Sequence, residues 1–340
     1  MRILLVRLSA LGDIIHAWPL AEAMRAARPQ SHLTWVVEAP FEPLVAGHPA
    51  VDAVVTTTTK SWRRRPLSTR TRAEVATVKT RLRELQPDLV IDVQGTFKSA
   101  LVSRWTAAPR RVGLARPWRR EWLAGLAYTE TVEGSRSSRH VVATNLELGR
   151  AVGIEPPPSP VPPDGRWLLA RTSAVAPDGP WDGPYAVLLP GAGKTEKVLP
   201  PAILADVARH LTGTGMAVVV AWGPGERSRA TEVAVAGGAG VHLAPATGLL
   251  ELAALLASSS VVVGGDTGPV HLAACLGVPT LAVFLTTDPE RNGPLGDRVG
   301  IVSGARPAAG PSGTATTGAA RSVSADEIGA ELDRLLVRTG

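Results

Sequence analysis

The chain has 340 residues, 45% hydrophobic and 19% charged, with one cysteine and a net charge of +6. That is enough apolar sequence for about two domains with separate cores, while a lone cysteine excludes an internal disulfide and a multi-cysteine metal cluster and is expected in the core. No run approaches the roughly 20 uncharged apolar residues of a membrane-spanning helix, and Arg7 interrupts the apolar start before a signal-peptide core can form, so a cytoplasmic protein is expected.

In chain order, Ile3 to Leu8 reads as a buried parallel strand that runs into the turn Arg7-Leu8-Ser9-Ala10-Leu11-Gly12-Asp13 and a helix over 14–27. Open α/β sheets bind ligands at such strand ends. With one glycine where a dinucleotide fingerprint has three, the turn excludes a nicotinamide cofactor; Asp13 is either a reactive carboxylate or a helix N-cap. Strands follow at 33–38 and 53–57, then a basic loop Lys60-Ser61-Trp62-Arg63-Arg64-Arg65, a helix over 71–85, a strand over 89–93 and a helix over 98–107. A second basic loop, Arg116-Pro117-Trp118-Arg119-Arg120-Glu121-Trp122, completes a doubly wound half, residues 1–160. Arginine forks suit carboxylates and phosphates, and tryptophan suits sugar faces or a membrane interface. Single-stranded nucleic acid would use the same residue types.

Residues 161–182 are too rich in proline, glycine and aspartate to continue a helix or strand and read as a linker. Residues 183–340 then repeat the alternation, with strands at 185–189, 217–222, 261–263 and 280–284, helices at 202–212, 248–257 and 269–276, and a last helix over 325–336. Residues 304–320 read as a mobile loop. The loop Pro190-Gly191-Ala192-Gly193-Lys194-Thr195-Glu196-Lys197 lacks Walker spacing, yet its lysines are candidate phosphate partners, or solvated surface charges. Glu226 is a candidate ribose or sugar ligand, or a helix cap. Val261 to His271 reads as strand, glycine turn and helix start, a geometry whose exposed N–H groups and positive dipole end suit a diphosphate at Asp266, Thr267 and Gly268. His271 is a further donor to that anion, or an ordinary partly buried histidine.

Charge splits with the halves: 23 basic and 14 acidic residues up to position 160, 13 and 16 after it. A basic first half fits an anionic partner, or a solvated basic face.

These motifs resemble the lipopolysaccharide heptosyltransferases of glycosyltransferase family 9. The match is carried by Ser9 through Pro19 with Gly12, Asp13 and His16, by Trp35-Val36-Val37-Glu38, by Asp92-Val93-Gln94-Gly95 with Lys98-Ser99, and by Asp266-Thr267-Gly268 with His271. The first and third blocks favour the type I branch, which adds heptose to Kdo on lipid A. The resemblance implies an α/β, GT-B-type fold of two facing Rossmann-like domains with parallel sheets, acceptor on the first and sugar nucleotide on the second. It implies an inverting transfer with Asp13 as general base and Gly193, Lys197, Glu226, Asp266, Thr267, Gly268 and His271 around ADP-heptose, the adenine lying near Thr247. Ser9, Gly12, Lys60, Arg63, Arg64 and Arg120 fall to the acceptor. Ala192 and Gly193 stand where the family has threonines, and Thr144 where it has an arginine. No cofactor and no obligatory metal are expected. The expected partners are ADP-heptose, Kdo-lipid A and the inner leaflet of the inner membrane, for a peripheral, cytoplasmic monomer that binds no nucleic acid. The competing readings are a family 9 transferase with another donor or acceptor, such as the type II branch, a sugar-nucleotide epimerase of similar architecture, and a nucleic-acid-binding protein.

Overall fold

A computed structural model describes residues 1–172, 179–181, 183–305 and 321–338. They form two compact units, Met1–Val161 and Pro162–Gly340. In the first, six parallel strands, β1 (Arg2–Val6), β2 (His32–Glu38), β3 (Ala53–Thr57), β4 (Leu89–Asp92), β5 (Arg110–Leu114) and β6 (Glu130–Val132), lie in the order β3-β2-β1-β4-β5-β6. Its helices are α1 (Leu11–Ile15), α2 (Trp18–Ala27), α3 (Thr59–Arg64), α4 (Thr69–Glu84), α5 (Phe97–Trp105) and α6 (Val141–Glu147). The central strands are solidly apolar because a parallel sheet is covered on both faces, and Leu4, Val6, Val36, Val55 and Val90 pack with Leu82 of α4 and Val102 of α5.

The second unit repeats this plan. After α7 (Leu169–Thr172) come β7 (Tyr185–Leu189), α8 (Pro201–Gly213), β8 (Ala217–Val220), α9 (Arg227–Gly237), β9 (Val241–Leu243), α10 (Leu249–Ala257), β10 (Val261–Gly265), α11 (Gly268–Cys275), β11 (Thr280–Phe284), α12 (Pro289–Asn292), β12 (Val299–Ser303) and α13 (Ala325–Val337). The order is β12-β11-β10-β7-β8-β9, again all parallel. Each sheet therefore reverses its direction of winding once, between β1 and β4 and between β7 and β10. Ligand crevices open at such switch points, beyond the carboxyl ends of the strands.

Four expectations are corrected. The predicted helix over 14–27 is two helices, broken at His16 and Ala17 ahead of the proline in the first turn of α2, where proline is tolerated. The loop expected at Lys60–Arg65 is largely helix α3, with Trp62 buried, its indole N–H donating to Glu74 and its ring packed on Trp105; Trp62 is thus unavailable as a sugar platform. The start of the expected linker is docked: Leu168 and Thr172 are buried and the Gly165 N–H donates to the Cys275 carbonyl at 2.8 Å. A Cβ on Gly165 would stand 2.6 Å from the sulfur of Cys275, itself in the core as expected. Finally, β5, β6, β9, β12, α6, α7, α9 and α12 went unpredicted. The linker residues 173–178 and 182, and 306–320 of the expected mobile loop, lie outside the described residues. No helix among the described residues is long and apolar enough to cross a membrane.

Candidate functional site

Predicted site residues gather at the two switch points. In the first unit, β1 ends at Val6 and delivers Arg7 into the interior. One Arg7 nitrogen donates to the Val93 carbonyl at 3.0 Å and another meets an Asp13 carboxylate oxygen at 2.7 Å. The arginine side chain is 6% exposed and that of Asp13 34%, so a buried cation presents a solvent-reaching carboxylate. Asp13 is not an N-cap: it occupies the first turn of α1, and its second oxygen accepts the Ala10 N–H at 3.3 Å. These contacts orient the carboxylate, a group type able to take a proton as a general base.

The turn after β4 is set by a chain of hydrogen bonds. Buried Asp92 accepts the Gln94 and Gly95 N–H groups and the Tyr128 hydroxyl. Burial pushes its carboxyl up, against the pull of these donors. Tyr128 crosses β5 at Gly113, where a Cβ would stand 2.2 Å from the ring. Gln94 accepts the Leu8 N–H, tying this turn to the one after β1. Gly95 adopts φ +63°, a conformation glycine takes without cost, and its carbonyl accepts the Glu121 N–H while the Glu121 carboxylate accepts the Phe97 N–H at the start of α5.

This scaffold aims Lys98 at the crevice. Its ammonium lies 3.4 Å from the Ser9 hydroxyl and 3.9 Å from the buried carboxylate of Glu38, which also accepts the Thr59 hydroxyl. Burial lowers the Lys98 pKa, Glu38 opposes this, and the cations Arg63 and Arg120 lower it further. Lys98, with the Arg63 and Arg120 charges near enough to lower its pKa, forms a cationic group at the Ser9 hydroxyl, in the turn that also carries Asp13, chemistry suited to a carboxylated or phosphorylated acceptor. Lys60 and Arg64 are exposed elsewhere on α3, and Gly12 is buried within α1. Lys98, Arg7 and Glu38 were missing from the predicted site; the usable signal was a charge set immediately beyond a buried strand.

In the second unit the Lys197 ammonium lies 2.5 Å from the Asp266 carboxylate, and the Thr287 hydroxyl donates to the same oxygen at 2.7 Å. The two charged side chains are 20% and 10% exposed. The pair sits where β10 turns into α11, whose N-cap Thr267 makes no side-chain capping bond and whose first turn carries Pro269. Pro269 has no N–H and the Val270 N–H donates to the Thr267 carbonyl at 3.2 Å, so the Gly268 N–H at this helix start and the lysine make up a candidate anion corner. His271, one turn in, is 5% exposed.

Glu226 occupies the N-cap position of α9, but its side chain makes no capping bond there. Its carboxylate accepts the Gly223 N–H at 2.8 Å and lies over Gly191, where a Cβ would stand 2.0 Å from the carboxyl carbon. Gly191 is therefore required for Glu226 to reach the loop after β7. A Cβ on Gly193 would meet nothing within 4 Å. Thr247 is half-buried in the loop between β9 and α10, and the Trp222 indole donates to Ala244 of the same loop at 2.9 Å.

Known proteins resemble this chain over most of its length. The profile of glycosyltransferase family 9 (heptosyltransferase) matches residues 75–316. Lipopolysaccharide heptosyltransferase 1 of Pseudomonas aeruginosa is 36% identical over 298 residues, covering 87% of this chain and 82% of that protein. The protein of the same name from Escherichia coli K12 is 30% identical over 298 residues, with 87% and 91% coverage. Among solved structures, E. coli heptosyltransferase WaaC with ADP is similar at a TM-score of 0.81 and 28% identity, over 98% of this chain and 100% of that one.

Proposed function

The chain belongs to glycosyltransferase family 9, the heptosyltransferases, and from that premise we propose that it transfers heptose from ADP-heptose to Kdo of the lipopolysaccharide inner core, with inversion at the anomeric carbon. The observation that carries this reading is the Lys197–Asp266 pair at the uncapped start of α11. A lysine held by a carboxylate beside the Gly268 N–H and the positive end of a helix dipole is a preorganised partner for a diphosphate leaving group.

In the proposed reaction, the Kdo hydroxyl oxygen bonds to the anomeric carbon as the bond from that carbon to the diphosphate oxygen breaks. The hydroxyl proton passes to Asp13, and the electron pair leaves with ADP. Asp13 is the general base, its carboxylate oriented by Arg7 and the Ala10 N–H. Ser9, Lys98, Arg63 and Arg120 bind the acceptor's anionic groups. Lys197, Thr267 and Gly268 carry the charge that develops on ADP, Glu226 holds a ribose or sugar hydroxyl, and Thr247 lies near the base. Asp266 positions Lys197 rather than touching the anion. Charge neutralisation by Lys197 and backbone N–H groups needs no divalent ion in this scheme, so turnover in excess EDTA is expected to match turnover without it. The acceptor being a lipid, the enzyme works as a monomer at the inner face of the inner membrane.

The test is calorimetric titration with ADP, ADP-heptose, UDP and GDP, followed by incubation of ADP-heptose with Kdo-lipid A. Binding confined to the adenine ligands, and a heptosylated lipid of inverted anomeric configuration by NMR, are the expected results. A preference for UDP or GDP would overturn the donor, and free heptose formed without acceptor would indicate a different reaction.

A further inference from the structure

We propose that the outer face of α5 together with the turn Trp122–Ala127 is the surface by which this protein inserts into an anionic bilayer. The proposal rests on the lipid-acceptor reading above and adds where the lipid surface is met. Five of the twelve exposed large apolar side chains among the described residues, Phe97, Leu101, Trp122, Leu123 and Leu126, belong to this one seam. It is held together from within: Ala100 of α5 packs on Ala124 and Ala127, and the Glu121 carboxylate binds the Phe97 N–H at 2.7 Å. The fold therefore buries small alanines along the contact and turns the large apolar side chains outward, the reverse of what a water-facing surface requires.

Charge names the occupant. Residues 92–130 hold seven basic residues against three acidic ones, of which Asp92 is buried and Glu130 pairs with Arg110. On α5 the exposed positions Phe97, Leu101 and Arg104 follow helical spacing, so apolar and cationic groups share one stripe. An apolar patch with tryptophan and surrounding cations is suited to the headgroup boundary of a membrane rich in anionic lipid. Lys98, next to Phe97, points instead at Ser9 in the acceptor crevice. One helix thus offers a cation to an acceptor's sugar head and, one residue away, an apolar face to the layer in which its acyl chains lie.

Sedimentation with vesicles of phosphatidylethanolamine and phosphatidylglycerol tests this, using full-length wild type, Trp122→Ser/Leu126→Ser, Phe97→Ser/Leu101→Ser, and Val235→Ser, an exposed apolar site on α9. Partitioning should fall by about tenfold or more in either double variant and stay unchanged in Val235→Ser. Melting temperature and turnover of a deacylated, water-soluble acceptor should be retained, and either pair suffices if the other fails to fold. Wild-type partitioning by a folded double variant overturns the proposal. So does parallel loss of soluble-acceptor turnover, which would make the seam part of the acceptor site. A wild-type dimer that the variants dissociate, with no vesicle binding, would assign the face to self-association. Wild type that binds vesicles through the seam yet never heptosylates the soluble acceptor would sink the catalytic reading and leave this surface standing.

Discussion

Replacing Lys197 by methionine removes the ammonium while keeping most of the side chain's length. Two effects follow from the same geometry. A hydrogen bond to a charged group contributes about 1.5–3 kcal/mol, so the loss of one lysine–phosphate contact weakens ADP binding by roughly 10- to 150-fold. The substitution also strips Asp266, 10% exposed, of its cation, leaving the Thr287 hydroxyl as a donor to the same oxygen. Breaking a fully buried pair costs about 3–5 kcal/mol. Because Lys197 is 20% exposed and Thr287 stays in place, about 1–3 kcal/mol is expected here after discounting for solvent screening. That corresponds to a fall of roughly 2–12 °C in melting temperature for a unit of this size. Calorimetry with ADP on the folded variant, below its shifted melting temperature, separates the two effects. An ADP dissociation constant within about twofold of wild type would refute Lys197 as a phosphate ligand and reduce the pair to a structural role.

Asp13→Ala should lower turnover by about 10²- to 10⁴-fold, the usual contribution of a general base, with ADP affinity unchanged; comparable turnover in the variant would dismiss Asp13 as the base. Gly191→Ala drives a Cβ into the Glu226 carboxylate and should raise the KM for ADP-heptose, whereas Gly213→Ala, facing open space at the end of α8, should be silent in the same assay. The Lys98 pKa is lowered, first by burial, so the ammonium is present below that value and lost as pH rises through it. The KM for the anionic acceptor should accordingly climb at a lower pH than an ordinary lysine would allow. Lys98→Arg, whose guanidinium stays charged throughout, should abolish that alkaline rise, and its persistence would place the titrating group elsewhere.

Much of the architecture was legible because parallel strands buried on both faces must be apolar runs. The strands beginning near Ile3, Leu33, Ala53, Leu89, Tyr185 and Thr280 stand close to where those runs lie, and both ligand crevices follow from the turns after them. The strands β5, β6, β9 and β12 escaped for the same reason. Arg110–Leu114 begins with two arginines, Glu130–Val132 and Val241–Leu243 have three residues each, and Val299–Ser303 is interrupted by glycine. Such strands are defined by the neighbour they pair with rather than by an apolar pattern of their own.

The sequence by itself also singled out the candidate turns, since Gly12-Asp13 and Asp266-Thr267-Gly268 announce small, flexible, charged strand ends. Their partners were decided by tertiary structure. Lys197 and Asp266 are 69 positions apart, Lys98 and Ser9 are 89 apart, and parallel crossovers bring them together at a switch point. Arg7, lying within an apparent apolar run, became the buried partner of Asp13. Local pattern reports whether a residue prefers water or the core; which charge neutralises another depends on how strands are ordered in a sheet, and that order is settled by the packing of the whole unit.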